Sequence, residues 1–531
     1  MNLAALLQKQ ADTRRSGVAI IDRCGTKLER YVSYADLAAE SSRVAGSLQS
    51  LGVTPGDHVL ILVGMSAELY TLLNAVFRLG AVAMFLDPSA GRAHLEQCCR
   101  MVAPKAFIAG WKGHALKLTC GALRRIPLQI VTGGPGAGFL AHATSWARSA
   151  APLEAIYDAA PDWPALITFT SGSTGRPKGA VRTHGFLYAQ HQTLQASLHL
   201  VPAEVDLATL PIFALANLAS GLTTVIPPVD LRHVGQVDAA LVVHALRRGG
   251  VMRTTASPAF LERVVDYCLR QRLTLEMLRR VYTGGAPVFP RTLARIQQVC
   301  PNALVTAVYG STEAEPIAQI DYHAMTPRDL TSMVAGRGLL AGTPEPCLHV
   351  RILGARWGQP VAPLNAAEFA AACQPTGEPG EIVVSGAHVL KGYLHGIGDE
   401  QTKFRVADTL WHRTGDAGYL DEAGRLWLLG RCEACIHDDR GTVYPFAVEA
   451  AVLQQNPAVR RAALLALEGQ RWLALEVTRE APADLVEQVR RQTASMHLDA
   501  IGVFRRVPVD KRHNAKIDYP ALRRLLAGRG N

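Results

Sequence analysis

Thr168-Phe-Thr-Ser-Gly-Ser-Thr-Gly-Arg-Pro-Lys-Gly179 directly follows a short apolar run, Ala165 to Phe169, that reads as a strand. Glycine lets a backbone approach a ligand closely and turn its N–H groups onto anionic oxygens. The hydroxyls of Thr170, Ser171, Ser173 and Thr174 add neutral donors, and Lys178 adds a mobile positive charge. Gly172 and Gly175 space them. By its chemistry the stretch is a cradle for a polyphosphate. It is not the Walker type, in which Ser or Thr follows the lysine, because Gly179 follows Lys178 and Pro177 precedes it. A Ser/Gly-rich surface loop is the bland alternative, and the strand immediately upstream weighs against it.

The surrounding chain sets the fold. Ser33 reads as an N-cap, followed by apolar residues at helical spacing through Leu51. A strand is expected over Val59 to Val63, a helix capped by Ser66 up to Leu79, and a strand over Val82 to Leu86. This β-α-β rhythm predicts an α/β fold with parallel sheets layered against helices. Gly-Pro turns between short β-branched runs, from Gly377 to Tyr393, predict a small antiparallel β subdomain. The last hundred residues read as a separate α+β domain, with a helix over Val448 to Leu453, strands over Ala462 to Leu467 and Trp472 to Val477, and a helix over Leu485 to His497.

The chain has 531 residues, too many for one core, and 49% of them are apolar, so disorder is not indicated. The net charge of +10 suits an anionic small molecule and would also suit nucleic acid or acidic lipid, with a solvated basic surface the plainer reading. No dense Lys/Arg block with interleaved aromatics points to nucleic acid. No apolar run is long enough to span a bilayer, and residues 1–10 lack the charged start and apolar core of a signal peptide. Leu3, Leu6 and Leu7 mark an amphipathic helix there; packing on the body is expected, and a peripheral membrane contact is left open. Ten irregularly spaced cysteines suggest reduced thiols and a cytoplasmic setting. Cys432 and Cys435 form a C-x-x-C without the second ligand pair that a structural zinc site wants. Gly133 to Gly138 is glycine-rich but lacks dinucleotide-loop spacing, so a connector is expected.

Two further stretches carry chemistry. The small residues of Thr283-Gly-Gly-Ala-Pro287 would let a flat ring lie against the backbone. Val308-Tyr-Gly-Ser-Thr-Glu313 offers an aromatic face at Tyr309, with Gly310, Ser311 and Thr312 leading to a carboxylate at Glu313 suited to magnesium beside a triphosphate. Thr414-Gly-Asp416 is turn chemistry with an acceptor.

The motif Thr170-Ser-Gly-Ser-Thr-Gly-Arg-Pro-Lys-Gly179 resembles the signature of the adenylate-forming superfamily, which includes acyl-CoA synthetases, peptide adenylation domains and luciferases. The resemblance extends over almost the whole chain. It implies ATP- and Mg2+-dependent attack of a carboxylic acid on the α-phosphorus, giving acyl-AMP and pyrophosphate. It also implies an N-terminal domain over 1–429 holding the nucleotide and acyl sites, and a mobile C-terminal domain over 430–531 hinged near Glu433. Carried onto matching positions, Gly284, Gly285, Ala286 and Pro287 flank the adenine and Tyr309 stacks on it. Thr312 meets the α-phosphate, Glu313 holds the metal, and Asp416 accepts from the ribose hydroxyls. Arg431 approaches the nucleotide, and Lys516 is the catalytic lysine, with Lys511 the weaker candidate. Phe213 and Ala214, with Ser257 and Pro258, fall where the family places the acyl group. Ordinary helix packing is the competing reading there.

Two departures bear on the second half-reaction. Ala214 stands where many acyl-CoA synthetases carry histidine, and Ile436-His-Asp-Asp-Arg-Gly-Thr-Val-Tyr-Pro445 replaces a loop that helps admit pantetheine. With Ser257-Pro-Ala259, Gly285-Ala-Pro-Val288 and the ending Pro508-Val-Asp-Lys-Arg-His-Asn-Ala-Lys516, they are similar to the β-lactone synthetases of bacterial long-chain olefin biosynthesis. That branch implies a long-chain 3-hydroxy acid whose own hydroxyl displaces AMP, without coenzyme A, and an assembly with pathway enzymes is left open. An acyl-CoA synthetase, an enzyme loading a carrier protein, and a non-catalytic adenylate-binding relative stay as alternatives.

Overall fold

Ser33 and Ser66 each cap a helix as their positions predict: Ser33 Oγ accepts from Asp36 N at 3.0 Å before Tyr34–Ser50, and Ser66 Oγ from Leu69 N at 3.3 Å before Ala67–Arg78. The computed structural model describes residues 2–24, 28–87, 90–132, 142–143, 151–171, 177–354, 357–510 and 516–527. The fold is mixed α/β, with parallel-rich sheets, helices and smaller antiparallel sheets. Two units divide the chain. The first comprises Met1–Pro228, His244–Arg253 and Ala387–Asp399, and the second Val229–Val243, Thr254–Gly386 and Glu400–Asn531.

In the first unit, β1 (Val18–Cys24) pairs antiparallel with β2 (Leu28–Ser33). The second sheet is built from β3 (His58–Leu62), β4 (Val82–Phe85), β5 (Ala106–Ala109), β6 (Leu128–Val131), β7 (His142–Ala143), β8 (Pro164–Ser171) and β9 (Pro177–Thr183). Its order is β7-β6-β5-β3-β4-β8-β9, parallel except for β9. Helices cover both faces, which is why β3 and β5 are apolar along their length rather than alternating. The strand expected to end at Phe169 continues to Ser171, and the chain resumes as a strand at Pro177, with Thr170 opposite Lys178. Pro, Lys and Gly in β9 hide its strand character, so pairing to β8 decides it. The remaining strands, β10 (Val205–Ala208) and β11 (Thr223–Val225), run parallel to β1. The N-terminal helix Ala4–Thr13 buries Leu7 and Ala11, with Leu3 at its N-cap, against this unit's core.

After β12 (Arg253–Ala256), the second unit opens with β13 (Arg280–Gly284) parallel to β14 (Leu304–Ser311). β15 (Ala314–Asp321) returns antiparallel and β16 (Leu339–Pro344) pairs with it. The expected antiparallel subdomain follows: β17 (His349–Leu353), β18 (Gly380–Ser385), β19 (Lys403–Val406), β20 (Thr409–Leu420) and β21 (Leu426–Arg431). A hairpin of β22 (Ile436–Asp438) and β23 (Gly441–Val443) precedes the helix Pro445–Gln455. A last sheet joins β24 (Val459–Leu467), β25 (Gln470–Val477) and β26 (Ala500–Phe504). The helix expected to reach His497 stops at Gln492, and a 3-10 turn over Ala494–Met496 ends at His497 in the left-handed region.

Candidate active site

Strand pairing fixes the candidate site residues of the second unit. Asp416 on β20 stands opposite Arg431, the last residue of β21. Arg431 Nη1 lies 3.2 Å from Asp416 Oδ1 and donates to Thr414 O at 3.1 Å. Tyr309, near the end of β14, donates its hydroxyl to Asp416 Oδ2 at 2.7 Å. Burial and then the Asp416 carboxylate push the Tyr309 hydroxyl well above its usual pKa, so it stays a donor. The same carboxylate raises the Arg431 pKa. Thr312 and Glu313 form the turn between β14 and β15, where Glu313 N donates to Ser311 Oγ at 3.2 Å.

The Thr283–Pro287 stretch leaves β13 at its carboxyl end. Gly284 sits so close to β14 that a Cβ would fall 2.4 Å from Val308 O. Gly285, at φ +81°, has nothing within 4 Å of the corresponding position. The Thr283 and Ser257 hydroxyl oxygens are buried without a hydrogen-bond partner.

Lys516 is placed by its backbone. Asp510 N donates to Lys516 O at 2.8 Å and Lys516 N to Asp510 Oδ1 at 2.9 Å, while Val509 bridges Ile517. The surrounding protein, and next the Arg431 charge, lower the lysine's pKa against the opposing pull of Asp416, Asp510 and Glu313. Lys516 therefore lies within electrostatic range of Asp416, Arg431 and Glu313. Lys511 lies outside the described residues.

In the first unit, β8 ends at Ser171 and Lys178 stands on β9. Gly172, Ser173, Thr174 and Gly175 lie outside the described residues, as does the Gly133 to Gly138 connector. The segment Ala387–Asp399 folds over Lys178: Tyr393 bridges Ala180, and Lys178 Nζ lies 5.8 Å from the centre of the Tyr393 ring. Gly398, at φ +100°, has the lysine against it, so that a Cβ would fall 2.7 Å from Lys178 Cε and 2.9 Å from Nζ. Alanine at 398 is expected to displace the ammonium and raise the KM for ATP about tenfold, or ~1.4 kcal/mol. Gly396→Ala, whose Cβ would come no nearer than 3.8 Å to Asp399, should leave that KM unchanged. Equal effects in steady-state titrations would refute the contact's role.

Phe213 and Ala214 are buried in the first unit's helix Pro211–Ser220, and Ser257 and Pro258 are buried at the start of Pro258–Gln271 in the second. The sequence gives little sign of two supports. Arg413 Nη2 meets Glu381 Oε2 at 2.5 Å, both side chains 1% exposed, and Glu381 Oε1 accepts from Gly415 N at 3.3 Å. This pair lies directly behind Asp416; a charged residue inside the run Trp411 to Arg413 was its only signal. Beside it, Lys403 Nζ approaches His412 Nδ1 at 3.1 Å. Burial and then Lys403 hold His412 down to about 3, so the ring is neutral, and the same Nδ1 lies 3.1 Å from Thr402 O.

Residues 7–394 match the family described as AMP-binding enzyme. The chain is 33% identical to an olefin beta-lactone synthetase of Xanthomonas campestris pv. campestris over 97% of this chain and 96% of that one. It is 29% identical to an indoleacetate–CoA ligase of Aromatoleum aromaticum over 84% of this chain and 82% of that one. Its fold matches ATP-bound MatB from Rhodopseudomonas palustris with a TM-score of 0.80 at 22% identity, covering 99% of both chains.

Proposed function

The chain belongs to the AMP-binding enzyme family and is an ATP-dependent adenylate-forming ligase, and from that premise we propose that it converts a long-chain 3-hydroxy acid to a β-lactone. The carrying observation is the full-length similarity to an olefin beta-lactone synthetase. Ala214 and the 436–445 stretch, which the resemblance marks as departures from coenzyme A-using enzymes, support the same reading.

The acid's carboxylate attacks the α-phosphorus of ATP, and pyrophosphate leaves with the bond's electrons. Repulsion between the two anions opposes this step. Lys178 and the Thr170–Gly175 donors hold the phosphates, Thr312 meets the α-phosphate, and Lys516 supplies charge where the new bond forms. Asp416 takes the ribose hydroxyls, with Tyr309 and Arg431 fixing its carboxylate, and the Gly284–Pro287 backbone takes the adenine. Mg2+ bound at Glu313 would neutralise charge on the β- and γ-phosphates. Among the described residues no three His, Cys, Asp or Glu side chains gather as a metal cage. A cation at Glu313 would complete its shell from phosphate and water, the usual habit of Mg2+. The orphaned Thr283 hydroxyl and open space beside Gly285 fit a nucleotide there.

In the second step the acid's own hydroxyl attacks the acyl carbon; its C–O bond closes the four-membered ring, AMP leaves and the hydroxyl proton is lost. An attached nucleophile needs no second substrate channel and has a high effective concentration. The acyl group lies by Phe213, Ala214, Ser257 and Pro258. Residues 430–531 turn about Glu433 between steps, a reading supported by Gly430 at φ +119° and the 3-10 turn Cys432–Ala434. The described cysteines are all free, which supports a cytoplasmic setting.

Product analysis tests the reading. Purified protein receives ATP, Mg2+ and a long-chain 3-hydroxy acid, with and without coenzyme A. A β-lactone and AMP without coenzyme A is the expected outcome. A thioester formed only with coenzyme A would overturn it and favour a ligase like the indoleacetate–CoA relative.

A further inference from the structure

Among the described residues no helix is long and apolar enough to cross a membrane, and the N-terminal helix spends Leu7 and Ala11 on the core. A different surface of the first unit has the character of a membrane contact. From Gln97 to Leu153 the chain contains no Asp or Glu. Within that stretch, Trp111–Ala115 and Leu116–Leu118 follow β5. The segment is seated firmly: Gly113 packs on Ala109, and buried His114 pairs its Nε2 with Ile130 O at 2.8 Å. Seating those residues turns Trp111 and Leu118 outward, 52% and 82% exposed.

Two lysines flank them: Lys112 Nζ lies 5.5 Å from the centre of the Trp111 ring, and Lys117 adjoins Leu118 in the chain. Neither lysine forms an ion pair among the described residues. Isolated exposed apolar residues need no explanation. A tryptophan and a leucine flanked by two unpaired lysines have the composition of an interfacial anchor, and the carboxylate that meets the stretch from outside it, Glu96, is held by Arg92 and the Gly121 backbone.

We infer that this surface docks on an anionic phospholipid bilayer, with Trp111 and Leu118 entering the headgroup region and Lys112 and Lys117 facing lipid phosphates. β3, β4, β5 and β8 run parallel, so the Trp111–Leu118 segment leaves β5 at the same carboxyl edge of the sheet at which β8 ends. Docking there brings that edge towards the phase in which a long-chain acid partitions. The inference does not depend on the second half-reaction.

The test is cosedimentation of the full chain with vesicles of phosphatidylcholine, with and without phosphatidylglycerol. Binding is expected only to the anionic vesicles, weakening with added salt. A lysine or arginine near such a surface contributes about fivefold, so Lys112→Glu/Lys117→Glu should lower partitioning about twenty-five-fold or more. Trp111→Ala/Leu118→Ala should weaken it while preserving its salt dependence. Vesicles should shift the protein's tryptophan emission to the blue, and Trp111→Phe should remove that shift. The exposed pair Arg505 and Arg506 supplies the control: Arg505→Glu/Arg506→Glu should bind as the parent does. Failure to bind anionic vesicles, or equal loss in the control, would overturn the inference. Thermal melts of each exposed-site variant confirm an intact fold.

Discussion

Lys516→Ala is expected to slow acyl-adenylate formation about a hundredfold, the equivalent of roughly 3 kcal/mol of lost transition-state stabilisation. Its ammonium lies within range of Asp416, Arg431 and Glu313, and the loop presenting it is tied by two hydrogen bonds between Asp510 and Lys516. The side chain must be protonated to act. Because the surrounding protein and Arg431 hold its pKa below the ordinary lysine value, activity should fall as pH rises through that lowered pKa. This alkaline limb lies at lower pH than an unperturbed lysine would set, and the alanine variant should lose it. Single-turnover pyrophosphate release, measured with circular dichroism to confirm folding, decides the matter. A loss under about threefold would assign the transition-state charge to another cation.

Arg413→Leu is expected to destabilise the protein by about 3–5 kcal/mol, because it leaves Glu381 buried beside an apolar group. Burial already raises the Glu381 pKa, with Arg413 pulling the other way. Removing the arginine raises it further. A folded-state pKa above the unfolded value carries its penalty at high pH and loses it as pH falls towards the unfolded value. The deficit against the parent should therefore be largest near neutrality and shrink on acidification, in denaturant titrations across that range. A deficit of under 1 kcal/mol, or one that grows in acid, would show that Glu381 is not held as a buried charge. Since Glu381 also accepts from Gly415 N, the variant should loosen the Thr414–Asp416 turn.

Much of the fold is legible locally. Ser33 and Ser66 announce their helices because a capping hydroxyl acts over three residues. The apolar runs of β3, β4 and β8 announce strands buried on both faces. What stays hidden depends on distant partners. β9 looks like loop until Gly179 is seen opposite Phe169, and Gly398 looks like any turn glycine until Lys178 is seen against it. Glu381 reads as a turn residue because its partner, Arg413, lies on another strand. At the site, Tyr309, Asp416 and Arg431 are identifiable by motif, while the bonds joining them come only from strand register.

That joining has a consequence for how affinity is distributed. Both oxygens of Asp416 already have partners, one from Tyr309 and one facing Arg431. A ribose bound there would enter by exchange, replacing or sharing existing bonds, so its net enthalpy at that point is small. Thr283 is the opposite case, a buried hydroxyl that has no bond to surrender. A ligand group reaching it would exchange only its own bond to water. Two contacts to one ligand would then weigh differently: the carboxylate would orient the sugar, and the hydroxyl would add to the enthalpy of binding.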